Sequence, residues 1–193
     1  RIKQLQQAIQ EPAELESRLR ETLGDCDLDV LLTDHPIDAA VAALGGQHWF
    51  DNVAIEPGGG VAFATVDGEK RKHVLAVSAD ATAALVAWLL LGSLIVGRLG
   101  GRGEVRPPRI LAMNASPLGA VGDRLTLIPA RLRPDEKFAG WRVEANPAEP
   151  DADALFNLAR ANALIVRPPG SGELAARAVC ETLALDPLIT GLM

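Results

Sequence analysis

Residues 52–64 read NVAIEPGGGVAFA, a predicted strand that runs into a Pro-Gly-Gly-Gly turn. Three consecutive glycines leave the backbone uncovered by side chains and able to adopt conformations that other residues resist. A turn of this kind after a strand suits a close approach of main-chain amides to an anion. The segment therefore predicts a strand followed by an anion-binding loop.

Regular patterns surround this segment. Leucines recur at four-residue steps between Pro12 and Leu23, which predicts an amphipathic helix. The apolar run Leu28–Thr33 predicts a buried parallel strand, and a helix is predicted after it at Ile37–Leu44. Further strands are predicted at Trp49–Ile55, Val61–Val66 and His73–Val77. Helices that alternate with strands indicate an α/β layer, in which the Asp67-Gly68 pair predicts a hairpin between the last two strands.

Residues 81–97 carry no charge and follow Asp80, a predicted helix N-cap. A membrane span needs about 20 apolar residues, and this run is at the short limit and is interrupted by Gly92-Ser93. We therefore predict no membrane association. A helix covered by the sheet and by a partner surface explains the composition better, and it predicts a homodimer contact.

A Gly- and Pro-rich connector, Gly97–Pro108, separates this first part from a second one. We place the domain boundary there, with domains at residues 1–103 and 104–193. Short strand-like runs follow at Arg109–Met113, Arg124–Ala130, Trp141–Glu144, Ala163–Arg167 and Ala178–Leu185, with one helix at Asp151–Ala161. They predict a small β-rich domain or partial barrel.

Composition limits the function. The 193 residues are 48% hydrophobic and carry a formal net charge of -6, which supports a globular core and argues against nucleic-acid binding. The two cysteines, Cys26 and Cys180, are far apart in sequence and predict neither a disulfide nor a zinc site. Because no secretion signal is visible at Arg1 either, we expect the protein in the cytoplasm. The three tryptophans are predicted core anchors. His35, His48 and His73 lack metal-ligand spacing, so no protein-bound metal is predicted.

Residues 158–169 read LARANALIVRPP, which resembles the LARANGLIVLP pattern of the MoeA and gephyrin E-domain family of molybdopterin molybdenumtransferases. It is the most specific match in the chain, and it implies that residues 104–193 form the small β-barrel-like C-terminal domain of that family. The resemblance also implies that residues 1–103 form a partial pterin-binding, MoaB/MogA-like, three-layer α/β domain. The fold class is thus α/β, followed by a small β-barrel-like domain.

Three segments of the first domain resemble the family's pterin-binding loops. Residues 29–38, DVLLTDHPID, lie where the family has TSGGVS after a strand, so that His35 and Pro36 replace two glycines. Residues 56–60, EPGGG, lie where the family places lysines around a Pro-Gly, and Glu56 and Gly59 stand there instead. Residues 75–84, LAVSADATAA, fall where the family has GLPGNPVSA, a loop that opens a helix.

These segments imply a ligand site at the carboxyl ends of the strands, where open α/β sheets present ligands. The candidate ligand-binding residues are Thr33, Asp34, Asp38, Gly58, Gly59, Ser78, Asp80 and Thr82. The implied ligand is molybdopterin, bound weakly because the lysines are absent. No catalytic residue is assigned, since the lysines and glycine-rich loops of the transferase are missing and Ser171 lacks a histidine partner.

Family members also carry, before the helix at Pro12, an opening strand, a Thr-Gly-Asp-Glu loop and two earlier domains. None of these is predicted here, so the sheet is expected to have an open edge that a partner covers. Two alternatives stay open beside a weak molybdopterin binder. One is a non-catalytic interaction or scaffold module that retains the fold, and the other is a fragment of an active molybdotransferase.

Overall fold

The computed structural model describes residues 2–5, 14, 17–18, 21–22, 30–34, 37–102, 107–135, 137, 139–146 and 158–185. The chain divides into two compact units. The first comprises Arg1–Val53 and Gly58–Ala79, and the second comprises Ala54–Pro57 and Asp80–Met193. The predicted domain boundary after residue 103 lies within the second of these units and stays a prediction.

The first unit is built on a mixed sheet of five strands in the order β1-β2-β6-β5-β3. The first six strands of the chain are β1 Ile2–Leu5, β2 Val30–Thr33, β3 Gln47–Asp51, β4 Ile55–Glu56, β5 Ala62–Val66 and β6 Lys72–Ala76, of which β4 belongs to the second unit. Strands β1, β2 and β6 are parallel, and β5 and β3 add antiparallel pairs. The predicted hairpin between β5 and β6 is confirmed.

Strand β1 corrects the expectation that no opening strand precedes the helix at Pro12. It pairs in parallel with β2, with Ile2 opposite Val30 and Leu5 opposite Thr33. The four residues Ile-Lys-Gln-Leu are too few and too polar to show a strand pattern, so the pairing with β2 decides their conformation. Of the predicted helix that follows, the described residues 14, 17–18 and 21–22 are helical, and the others lie outside the described residues.

The core of the first unit lies between its sheet and helix α1, Asp38–Ala43. Ala40 and Val41 of this helix are buried, as the predicted helix requires. They pack in one cluster with Leu31, Ile37, Ala64, Val66, Val74 and Ala76. Gly46 ends the connection to β3, and a Cβ there would stand 2.8 Å from the carbonyl oxygen of Thr65, so only glycine allows this close approach.

Strand β3 ends earlier than predicted and its tryptophan is exposed. Asn52 has a φ of 51°, a left-handed conformation that stops the strand at Asp51. The predicted strand Trp49–Ile55 is therefore wrong in extent, since Ile55 belongs to the separate strand β4. Trp49 is 52% exposed, and its Nε1 donates a hydrogen bond of 3.0 Å to Thr65 Oγ1. The prediction of a core anchor is wrong for this tryptophan.

A continuous helix runs from Ala81 to Leu99. It consists of α2 Ala81–Ala87, a π-helical turn Trp88–Gly92 and α3 Ser93–Leu99. The expected interruption at Gly92-Ser93 does not break the helix, which passes through a π turn there, and a Cβ at Gly92 would meet the Trp88 ring at 2.4 Å. Among the described residues this helix alone is long and apolar enough to cross a membrane by length and composition, and a third of it is buried in the molecule.

The second unit contains a closed barrel of five strands. They are β7 Arg109–Asn114, β8 Leu125–Asp135, β9 Gly140–Ala145, β10 Ala163–Arg167 and β11 Val179–Ala184. The order is β10-β11-β7-β9-β8, and β8 pairs back onto β10 to close the barrel. Strand β4 adds a short parallel pair to β8. The predicted β-rich domain is confirmed, and its sheet closes because β8 is long enough to pair with β4, β9 and β10.

Alternating side chains fill the barrel. Ile110, Ala112, Leu132, Val143 and Ile165 are buried in one cluster, with Trp141 packed against it. Cys180 belongs to the same cluster, and burial raises the pKa of its thiol, an effect that the nearby Arg167 partly opposes. The thiol is therefore protonated at neutral pH and acts as a core residue.

Candidate functional site

The carboxyl ends of β2 and β6 lie side by side at one edge of the first unit's sheet. Thr33, the last residue of β2, is paired with Ala76, the last residue of β6. The Val77 N–H donates a hydrogen bond of 2.8 Å to the Thr33 carbonyl oxygen. Ser78 follows directly, so parallel pairing brings Thr33 and Ser78 to the same edge.

The glycine turn lies at this edge as well. Strand β5 begins with Ala62 opposite Ala76, so the residues that precede β5 stand beside the end of β6. Gly58 has a φ of 99°, a conformation that favours glycine, and the Gly59 carbonyl accepts a hydrogen bond of 2.8 Å from the Val53 N–H. A Cβ on Gly60 would meet nothing within 4 Å, so the turn has open space beside it.

Two of the three aspartates of the predicted site, Asp34 and Asp38, differ in surroundings. Asp34 is exposed and follows Thr33 directly. Asp38 is exposed in the first turn of α1, and its Oδ1 lies 3.3 Å from His48 Nε2. Asp38 therefore forms an ion pair when His48 is protonated, and a carboxylate in the first turn also stabilises the helix.

Asp80 and Thr82 belong to the second unit, so the structure divides the predicted site residues between the two units. Asp80 is the N-cap of α2, and its carboxylate accepts a hydrogen bond of 2.8 Å from the Ala83 N–H. It occupies a main-chain donor that an anion would use, as the sequence predicted. Thr82 is half-buried in the first turn of the same helix.

The edge of the first unit offers neutral hydrogen-bond donors. Thr33 is only 1% exposed, Ser78 is half-buried, and none of the eight predicted site residues is cationic. The described residues contain no group of three or more His, Cys, Asp or Glu side chains that could hold a metal ion. The chemistry available at this edge is the hydrogen bonding of a small ligand by the main-chain amides of the glycine turn.

A group of cationic side chains on the barrel has no role among the sequence-based predictions. Arg131 and Arg133 alternate on β8, and Arg142 lies on β9. The signal in the sequence is the two-residue spacing of arginines within a strand, which places them on one face. Their meeting across two strands follows from the pairing register, which the separate strands do not reveal.

Comparisons with known proteins agree with this architecture. Residues 112–185 match the model of the MoeA C-terminal region, domain IV. No curated protein sequence matches the chain significantly. Among solved structures, a molybdopterin biosynthesis MoeA protein from Pyrococcus horikoshii matches 92% of the chain with a TM-score of 0.70 and 17% identity. A molybdenum cofactor biosynthesis protein from Pyrococcus furiosus matches 92% with a TM-score of 0.66 and 15% identity.

The chain spans only part of these relatives, 42% of the Pyrococcus horikoshii protein and 56% of the Pyrococcus furiosus protein. At these identities the structural likeness establishes the fold, whereas the family model identifies the barrel by its sequence. The resemblance stated for residues 158–169 lies inside the matched range and is confirmed. Residues 112–185 are therefore similar in sequence to the MoeA C-terminal region, domain IV, and the chain has the fold of the C-terminal part of a MoeA protein.

Proposed function

We propose that this chain is a MoeA-like protein of molybdenum cofactor biosynthesis that binds a molybdopterin-type anion weakly. The observation that carries the proposal is the domain IV match at residues 112–185, together with a fold shared over 92% of the chain with a MoeA protein. The first unit then corresponds to a partial MoaB/MogA-like pterin-binding domain. The protein acts in the cytoplasm as a homodimer, with molybdopterin as its small-molecule partner.

The proposed pocket is the edge of the first unit where Thr33, Ser78 and the turn Gly58–Gly60 lie. Main-chain amides of the glycine turn hold the anion there, beside the half-buried Ser78. Glu56 and Gly59 occupy the positions of the two family lysines, so two charge-assisted hydrogen bonds are missing. Each is worth on the order of 1.5–3 kcal/mol, which makes the binding weak and the catalytic machinery incomplete.

A titration with molybdopterin, or with its adenylylated form, tests this function. Wild-type protein and a Glu56→Lys, Gly59→Lys double variant are compared by calorimetry. We expect weak saturable binding by the wild type and at least about tenfold tighter binding by the variant, since it restores both cations. A matched Glu69→Lys, Gly68→Lys variant adds the same charge in the hairpin turn between β5 and β6 and should bind as the wild type does.

The outcomes separate the proposal from its alternatives. Absence of binding by both the wild type and the Glu56→Lys, Gly59→Lys variant would contradict the pocket. Binding by that variant alone favours a scaffold module, which the helix Ala81–Leu99 also supports because only a third of it is buried. A fragment of an active molybdotransferase is supported by the 42% coverage of the Pyrococcus horikoshii MoeA protein, and transferase activity on adding the missing part would identify it.

A further inference from the structure

A cationic cavity lies on the barrel, separate from the residues assigned to the pterin pocket. It has a volume of about 410 Å³ and is lined by four cations, Arg131, Arg133, Lys137 and Arg142, against two carboxylates, Asp135 and Glu144. The whole chain carries a net charge of -6, so this local excess of positive charge is contrary to the overall balance. Cavities of roughly 300–1,000 Å³ are typical of small-molecule sites.

The pairing of β8 with β9 places positive charges against each other, which destabilises the folded protein. Arg131 stands opposite Glu144, a favourable arrangement, but Arg133 stands directly opposite Arg142. Like charges directly opposite each other on antiparallel strands destabilise a sheet. Among the described residues, neither Arg133 nor Arg142 makes a side-chain ion pair or hydrogen bond. An anion between the two guanidinium groups removes this repulsion.

A second cavity of about 250 Å³ shares Asp135, Lys137 and Arg142 with the first and is also lined by Asn114. Asn114 is only 1% exposed, and its Nδ2 donates hydrogen bonds to the carbonyl oxygens of Ser116 and Ala175. Its Oδ1 is buried and has no partner among the described residues. A buried amide oxygen without a partner is rare, so the polar groups beside this cavity are incompletely satisfied.

We propose that these adjoining cavities form a second ligand site, which binds a phosphate group that has a hydroxyl beside it. The arginines Arg133 and Arg142 bind the phosphate oxygens, for which the planar guanidinium is well suited. The hydroxyl, either the P–OH of inorganic phosphate or an alcohol of a polyol phosphate, donates to the Asp135 carboxylate, which lines both cavities. None of the described residues that line the first cavity is aromatic, so the site holds no stacked base.

Calorimetric titration of the full chain in an anion-poor buffer tests the site, with inorganic phosphate, glycerol phosphate and sulfate as probes. We expect saturable binding of at least one phosphate probe. Tighter binding of inorganic phosphate identifies free phosphate as the ligand, and tighter binding of glycerol phosphate identifies a polyol phosphate. Sulfate offers no hydroxyl donor and should bind at least about tenfold more weakly. Sulfate that binds as tightly as both phosphates would contradict the proposal.

Two charge-matched variants locate the binding. The Arg133→Gln, Arg142→Gln variant removes the opposed pair and should weaken phosphate binding at least about tenfold, because it removes two charge-assisted donors. The Arg98→Gln, Arg102→Gln variant loses the same charge at exposed positions and should bind within about twofold of the wild type. Equal loss in both variants, or no saturable binding by the wild type, would overturn the site.

A folding control accompanies the titration. The arginines at positions 133 and 142 are exposed, so their replacement leaves the barrel core intact. Because the like-charge pair is removed, the phosphate-free Arg133→Gln, Arg142→Gln variant should melt no lower than the wild type. Added phosphate should raise the Tm of the wild type more than that of this variant at the same concentration, whereas equal rises in both would contradict the assignment to these residues.

Discussion

Replacing Arg167 by alanine is expected to lower the free energy of unfolding by about 3–5 kcal/mol, a loss large enough to threaten folding of the barrel. Arg167 ends β10 and is only 3% exposed. Its Nη1 donates a hydrogen bond of 3.2 Å to the Gly119 carbonyl, and its Nη2 donates to the Gly172 carbonyl. The side chain thus joins two loops at one end of the barrel, and alanine leaves a cavity and two carbonyl groups without their donor.

Urea unfolding of the Arg167→Ala variant measures this loss. Arg124→Ala serves as the matched control, since Arg124 is exposed and only its carbonyl oxygen accepts a described hydrogen bond. The Arg124→Ala variant should change the free energy of unfolding by no more than about 0.5 kcal/mol. An effect of Arg167→Ala no larger than that of the control would contradict a structural role for the buried arginine.

Replacing Asn162 by alanine is expected to cost about 2–4 kcal/mol of stability, because it removes two hydrogen bonds that close the barrel. Asn162 Oδ1 accepts a hydrogen bond of 2.7 Å from the Leu132 N–H, and Nδ2 donates one of 3.0 Å to the Leu132 carbonyl. Leu132 is 2% exposed, so its main-chain groups are shielded from water while the Asn162 side chain covers them. The amide side chain therefore acts as a further link between the start of β10 and β8.

The variant Asn162→Asp tests the hydrogen bond that the Asn162 side chain donates to the Leu132 carbonyl. An ionised carboxylate still accepts from the Leu132 N–H but repels the Leu132 carbonyl, whereas a protonated carboxyl can donate to it. Contact with that carbonyl raises the pKa of the new carboxyl in the folded state, so its stabilising contribution is present at acidic pH and lost as the pH rises. Relative to wild type, Asn162→Asp should be less destabilised at pH 4 than at pH 7. Equal losses at both pH values would contradict this reading.

The barrel was predictable in outline because its strands are bounded by Pro, Gly and Asp and because LARANALIVRPP resembles a known pattern. Its closure was not, since the return of β8 to β10 depends on long-range pairing. Strand β1 was not predicted for the same reason, because its four residues form a strand only by pairing with Val30–Thr33. The exposure of Trp49 follows from its place on β3, the last strand in the sheet order.

The positions of some candidate site residues follow from the local sequence, whereas those of others depend on long-range pairing. Thr33, Ser78 and Gly58 could be placed at one edge from the sequence, because the carboxyl ends of parallel strands meet there. That Asp80 and Thr82 belong to the other compact unit could not be predicted from their closeness to Ser78 in sequence. The opposition of Arg133 and Arg142 also escaped prediction, since it depends on the register of β8 against β9.

The most direct test of the proposed pterin pocket is an amide chemical-shift titration of the isotope-labelled chain with molybdopterin. We expect the largest shifts at Thr33, Asp34, Gly58, Gly59 and Ser78, with saturation at weak affinity and little change along β10 and β11. Shifts confined to the barrel, or an unchanged spectrum at saturating ligand, would contradict a pterin pocket at the edge of the first unit.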